Sequence, residues 1–134
     1  MNLSQLDCTA VFFAALSSFM LGGLWYSPWL FQRAWLEGCG LTELDLKATD
    51  PKWVFGGSFV LSLFIAFSLS LFLGPSPNLG VAVSAGFVIG ICWVSSALGM
   101  SYIYEQRPIK LFFINSGYYI LQFSLMGLIL GMWP

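Results

Sequence analysis

The sequence predicts an all-α integral membrane protein: a four-helix bundle with a short amphipathic interfacial helix between its first and second spans. Three observations lead there. Hydrophobic residues make up 58% of the 134-residue chain and charged residues 8%, against roughly 25% charged in a soluble domain. The five cations and six anions leave residues 8–32, 53–104 and 111–134 without a single charge. Those stretches lack strand-like alternation, and in hydrocarbon only helices and closed barrels satisfy their own backbone groups. A soluble domain of this size needs a polar surface that so few charges cannot supply.

A crossing takes about 20 apolar residues. The first uncharged stretch supplies span one, 9–26. Its leading segment carries Asp7 and no Lys or Arg, so it reads as a retained span rather than a cleavable signal. The second stretch is too long for one crossing and divides at Gly74-Pro75-Ser76-Pro77-Asn78, where two prolines and a glycine stop a helix. Span two is then 53–73 and span three 79–104, antiparallel neighbours across a short hinge. Span four is 111–133. Asp50 before Pro51 forms an N-cap with proline at the first helical position, and Pro108 opens span four in the same way. The whole chain is one transmembrane domain with a single sizeable loop, 27–52. Within it Trp29 to Gly38 reads as an amphipathic interfacial helix with Phe31, Ala34 and Trp35 on one side. Thr42 with Asp45 caps a second short turn, Glu43 to Lys47.

All five cations lie in the first and third loops: Arg33, Lys47, Lys52, Arg107 and Lys110. The positive-inside rule places these loops in the cytoplasm and both termini outside. A weak echo of Ser17-Ser18, Leu21-Gly22 and Pro28 in Ser95-Ser96, Leu98-Gly99 and Pro108 suits a parallel two-plus-two duplication.

Lipid tails are as apolar as leucine, so helices associate through small residues that let backbones approach. Each span carries such a seam: Ala14, Ser18 and Gly22; Ser58, Ser62, Ala66 and Ser70; Ala82, Gly86 and Gly90; Gly127 and Gly131. They serve packing inside the bundle or contact between protomers, with the Gly127–Gly131 pair the favoured protomer contact. Asn115, Tyr119, Gln122 and Met126 share one face of span four. Gln122 falls at the depth of Trp93 in span three, so we expect Gln122 to accept a hydrogen bond from the Trp93 indole. These four polar or aromatic residues, Trp93, Asn115, Tyr119 and Gln122, act as interhelical glue or line a polar path.

The same composition excludes chemistries. There is no histidine, and the three cysteines form no CxxC pair, so we expect no metal and no cofactor. The net charge of −1 offers nothing to nucleic acid. No Asp, Glu, Lys or Arg sits inside a span, which argues against ion-coupled transport and against an intramembrane catalytic dyad. We expect no enzyme. The remaining charges gather at the cytoplasmic rim, where Arg33, Glu37, Glu105, Arg107 and Lys110 pair with one another or hold an anion or lipid headgroup.

Two segments are more distinctive. One is Gly22-Gly23-Leu24-Trp25-Tyr26-Ser27-Pro28, followed by Ala34-Trp35 and Gly40-Leu41-Thr42-Glu43. The other is Tyr104-Glu105-Gln106-Arg107-Pro108-Ile109-Lys110-Leu111, followed by Ile114-Asn115-Ser116-Gly117-Tyr118-Tyr119 and Met126-Gly127. Over essentially the whole chain these resemble the domain of unknown function 1761 family. The resemblance implies a four-span bacterial membrane protein and supplies no activity. Gln106 stands where the family pattern suggests glycine, a departure at that turn. Both segments fall at cytoplasmic helix ends, so Trp25 or Tyr26 is expected to pack beside Arg107 in a cation–π contact.

The expectation is a bacterial inner-membrane protein, surrounded by lipid, that works by assembly as a homo-oligomer or as an accessory subunit of another membrane protein. The alternative is an oligomeric channel or transporter for a small neutral or lipid-like solute. A continuous cavity along Asn115, Tyr119 and Gln122 favours transport. Capping of those residues by neighbouring helices favours assembly.

Overall fold

A computed structural model describes residues 6–133. Its elements are α1 (Cys8–Trp25), α2 (Gln32–Cys39), α3 (Glu43–Ala48), α4 (Pro51–Leu73), α5 (Leu79–Val88), a π-helical segment (Ile89–Val94), α6 (Ser95–Glu105) and α7 (Ile109–Met132). Four helices are long and apolar enough to cross a membrane: α1, α4, the continuous helix Leu79–Glu105 and α7.

Local chemistry sets the ends. The Asp7 carboxylate accepts from Thr9 N and Ala10 N at the start of α1, and Asp50 accepts from Lys52 N behind Pro51. Asn78 accepts from Val81 N to open α5. Each side chain satisfies an amide that the first helical turn leaves open. Thr42 and Asp45 form a reciprocal capping box on α3. Gln106 ends α6 in the left-handed region, φ 58°. The turn thus keeps a glycine-like backbone without glycine, at a cost of roughly 1 kcal/mol. The amphipathic helix begins at Gln32 rather than Trp29, because Ser27 to Phe31 are taken up by a turn in which Ser27 O accepts from both Leu30 N and Gln32 N. Its buried residues are Leu36 and Gly38.

The bundle is an open row. Helix α1 packs on α4 and on α7, and α7 packs along α5, the π segment and α6. Helices α4 and α5 barely touch, although only Gly74 to Asn78 separate them. The expectation that spans two and three pack as neighbours is therefore corrected. The short hinge joins their ends, but each flank has a better partner. A Cβ on Gly86 would overlap the Phe123 carbonyl, and one on Gly127 would overlap the Ala82 carbonyl. Backbone contact of this closeness is what holds α5 against α7. On the other side Ala10, Val11, Ala14, Ala15, Ala66, Leu69, Met126 and Leu130 form the core shared by α1, α4 and α7. A two-fold duplication would pair α4 with α5 as α1 pairs with α7, and the splayed hairpin does not have that symmetry. Between α4 and α5 lies an open apolar cleft of about 670 Å³, lined by Phe72, Val81, Ala85, Val88, Ile89 and Trp93 among others.

The π segment decides which residues of span three face α7. Ser95 Oγ donates to Gly90 O across the widened turn, 2.8 Å. The residues turned toward α7 are then Ala82, Gly86, Gly90, Ser95 and Gly99, with one interval of five among intervals of four. Such an extra residue in one turn rotates everything beyond it.

Candidate functional site: the polar cluster at the charged face

The end of α1, the amphipathic helix α2, the end of α6 and the first half of α7 meet at the face that carries the cations. Asn115 is their hub. It is 9% exposed. Tyr26 Oη donates to Asn115 Oδ1 at 2.6 Å, and Asn115 Nδ2 donates to Tyr102 Oη at 2.6 Å. One amide thereby ties α1 and α6 to α7. Trp25 Nε1 donates to Ile114 O at 2.9 Å, and a Cβ on Gly117 would meet the Trp25 ring at 2.9 Å. The Trp25 ring also packs on Phe31, and Tyr26 packs on Trp35 and Tyr118. Tyr119 lies beside Tyr118, ring centroids 5.3 Å apart.

Deeper in the bundle Gln122 is 2% exposed. Its Nε2 donates to Ser18 Oγ at 2.8 Å, and Tyr118 Oη donates to Ser18 O at 3.1 Å. The expected Trp93–Gln122 hydrogen bond is thus replaced. Trp93 is 63% exposed and lines the cleft toward α4, because the π turn rotates it off the α7 side. Replacing Gln122 by leucine is expected to cost about 1 kcal/mol, the usual size of one interhelical hydrogen bond in a membrane. Reversible unfolding in mixed micelles measures it, and Trp93→Phe should leave the value unchanged.

The rim residues come together in part. Lys110 Nζ donates to Glu37 Oε2 at 3.0 Å and so fastens α2 to α7. Arg33 lies 3.8 Å from Glu37 one turn away, and Arg107 pairs with Glu105 at 3.2 Å. The expected stacking of Trp25 or Tyr26 on Arg107 gives way to the inward hydrogen bonds of both rings and the Arg107–Glu105 pair. The seam residues Gly86 and Gly90 face Phe123 and Ile120, while Gly127 and Gly131 face Ala82 and Leu79. The Gly127–Gly131 pair, favoured as a contact between protomers, is therefore occupied inside one chain.

Lys110 holds the Glu37 carboxyl below its ordinary value, through its hydrogen bond first and its charge second. A lowered carboxyl stabilises the fold above the ordinary glutamate range and loses that contribution as pH falls through the lowered value. Thermal melts of the wild type and Lys110→Met should differ at neutral pH and converge once the pH has fallen through the lowered Glu37 value. Burial raises the Cys39 thiol against the opposing pull of Arg107, so it stays protonated at neutral pH.

Tyr102 and Ser18 as partners, and the Glu37–Lys110 clasp, were not specified by sequence reasoning. A signal for Ser18 exists: it is the middle member of the Ala14–Ser18–Gly22 seam. Tyr26 and Tyr102 each lie at the charged-face end of their span, the same depth as Asn115.

A row of four apolar helices, a polar hub near one face and an amphipathic helix clasped onto the last span define a four-span helical membrane protein. The family model described as Protein of unknown function (DUF1761) matches residues 9–131. The chain belongs to that family. No curated protein and no solved structure matches it.

Proposed function

We propose that the chain is a non-enzymatic protein of the bacterial inner membrane that works by assembly, as a homo-oligomer or as an accessory subunit. One observation carries this reading. Asn115 and Gln122 of α7 are held inside the protomer, Asn115 by Tyr26 and Tyr102 and Gln122 Nε2 by Ser18, while Gln122 Oε1 and Ser116 Oγ are buried among the helices rather than open to a channel. The large open concavity is apolar instead. A path for a polar solute needs unengaged polar groups along a cavity, whereas a self-contained unit presents only its apolar flanks to neighbours. The one-sided distribution of Lys and Arg supports an orientation with the charged face in the cytoplasm and both termini outside.

The apolar cleft between α4 and α5 favours one second reading, passage of a lipid-like solute through an oligomer. Proteoliposomes separate the two. Under the assembly reading, neither a small neutral osmolyte nor a labelled phospholipid crosses faster than in protein-free vesicles. Acceleration of either would move the function to transport.

A further inference from the structure

A second concavity lies at the opposite face of the bundle, where the start of α1, the end of α4, the hinge and the end of α7 meet. It encloses about 140 Å³ and is lined by Asp7, Ser70, Gly74, Ser76, Leu130 and Trp133 among others. Asp7 is the one charged side chain among the described lining residues. The Asp7 carboxylate is the only charged side chain in residues 1–32, 53–104 and 111–134, so no Lys or Arg side chain from these segments answers it. Helices α4 and α7 both end here with partial negative charge, against the one positive start of α1, which Asp7 Oδ1 already caps through Thr9 N and Ala10 N.

The hinge sharpens this. Gly74 N closes the Ser70 carbonyl at 3.0 Å. Continued closure of the Leu71 and Leu73 carbonyls would take the backbone N–H groups of residues 75 and 77, and both are proline. Proline has no N–H to give. Of Leu71 and Leu73 only Leu73 lines the cavity, which therefore gathers a carboxylate, serine hydroxyls and the Leu73 backbone beside an indole ring. Acceptors dominate, and a ring face is attractive to cations. Ca²⁺ takes six to eight oxygen ligands and Mg²⁺ a near-ideal octahedron of them, more than this small lining arranges around one carboxylate. A primary ammonium has three N–H donors and one charge, which suits one carboxylate with neutral acceptors around it.

We propose that this cavity binds a primary ammonium group, with Asp7 as counter-ion and the Ser70 hydroxyl and the Leu73 carbonyl as further acceptors. Two sources carry that group: a free alkylamine or the headgroup of an aminophospholipid. Asp7 is exposed, so either can enter from the aqueous side.

The test uses the full chain in nanodiscs of phosphatidylglycerol, with ethylammonium chloride as probe, calorimetry as readout and potassium chloride at equal ionic strength as reference. Saturable binding of ethylammonium is expected, with tetramethylammonium, which has no N–H, binding at least tenfold more weakly. Asp7→Asn should weaken ethylammonium binding at least tenfold. Asparagine caps a helix as well as aspartate, so α1 keeps its start, and an unchanged melting temperature verifies it. Should Asp7→Asn fail to fold, Ser70→Ala provides the second variant, with a several-fold loss expected. Nanodiscs containing phosphatidylethanolamine distinguish the sources: suppression of probe binding assigns the site to the lipid headgroup, and undiminished binding assigns it to a free amine. No saturable binding in phosphatidylglycerol, or equal binding by the wild type and the folded variant, would overturn the proposal.

Discussion

Gly86→Leu is expected to leave no folded bundle in mild detergent. Even a bare Cβ at this position overlaps the Phe123 carbonyl carbon and oxygen. Backbone atoms of a helix cannot swing aside as the end of a side chain can, so α5 must separate from α7 along its whole length. The Gly127 contact with Ala82 and the Gly90 contact with Ile120 lie on the same seam and would be lost together. Overpacking a core costs about 1–3 kcal/mol where side chains can yield, and here the yielding element is the main chain, so even Gly86→Ala should cost about 3 kcal/mol. Gly23 is the control. A Cβ there meets nothing within 4 Å, and alanine in place of a helical glycine should stabilise by roughly 0.5–1 kcal/mol. Unfolding of both variants in mixed micelles gives the two free energies, opposite in sign. Equal effects at Gly86 and Gly23 would remove the close-approach account of the α5–α7 pair.

Asn115→Leu is the second large effect. It removes one acceptor and one donor, and leaves the Tyr26 and Tyr102 hydroxyls facing an aliphatic chain. Interhelical hydrogen bonds in membranes are worth about 0.6–1.7 kcal/mol each, and a buried group left unsatisfied adds to the loss. A destabilisation of about 2–3 kcal/mol is expected. Tyr26→Phe and Tyr102→Phe should each cost about 1 kcal/mol in the wild type and far less in the Asn115→Leu background, since the partner is already gone. Additive losses would mean that the three side chains do not act as one hub.

These effects mark what the sequence could reveal. Span positions were legible because charge and hydropathy are local properties, and the capping residues Asp50, Thr42 and Pro108 lie where their helices start. The buried face of α7 was largely legible from periodicity: Asn115, Gln122 and Met126 lie on it, while Tyr119, expected on the same face, is only half-buried. Partners were harder. Depth alone matched Gln122 with Trp93, yet depth does not fix rotation about the helix axis, and the π turn at Ile89–Val94 rotates Trp93 outward. The five-residue interval from Gly90 to Ser95 is the trace of that turn in the sequence. Adjacency in the chain also misled at the hinge. Five residues connect α4 to α5, but the small residues that admit close backbone contact pair α5 with α7. The rim clasp joins Glu37 to Lys110, 73 residues apart, and no local pattern encodes such a distance.

We propose a self-contained four-span unit that works by assembling with a neighbour. Its polar hub is turned inward and its apolar flanks α4, α5 and α6 are left to meet the membrane or another chain. Native mass spectrometry of this chain, released from mild detergent after extraction from its own membrane, is the sharpest test. A discrete complex above the 14.8 kDa mass of this chain is expected, either a multiple of it or the protomer with a second polypeptide. A protomer that appears alone across detergents and protein concentrations, with no associated chain, would contradict it.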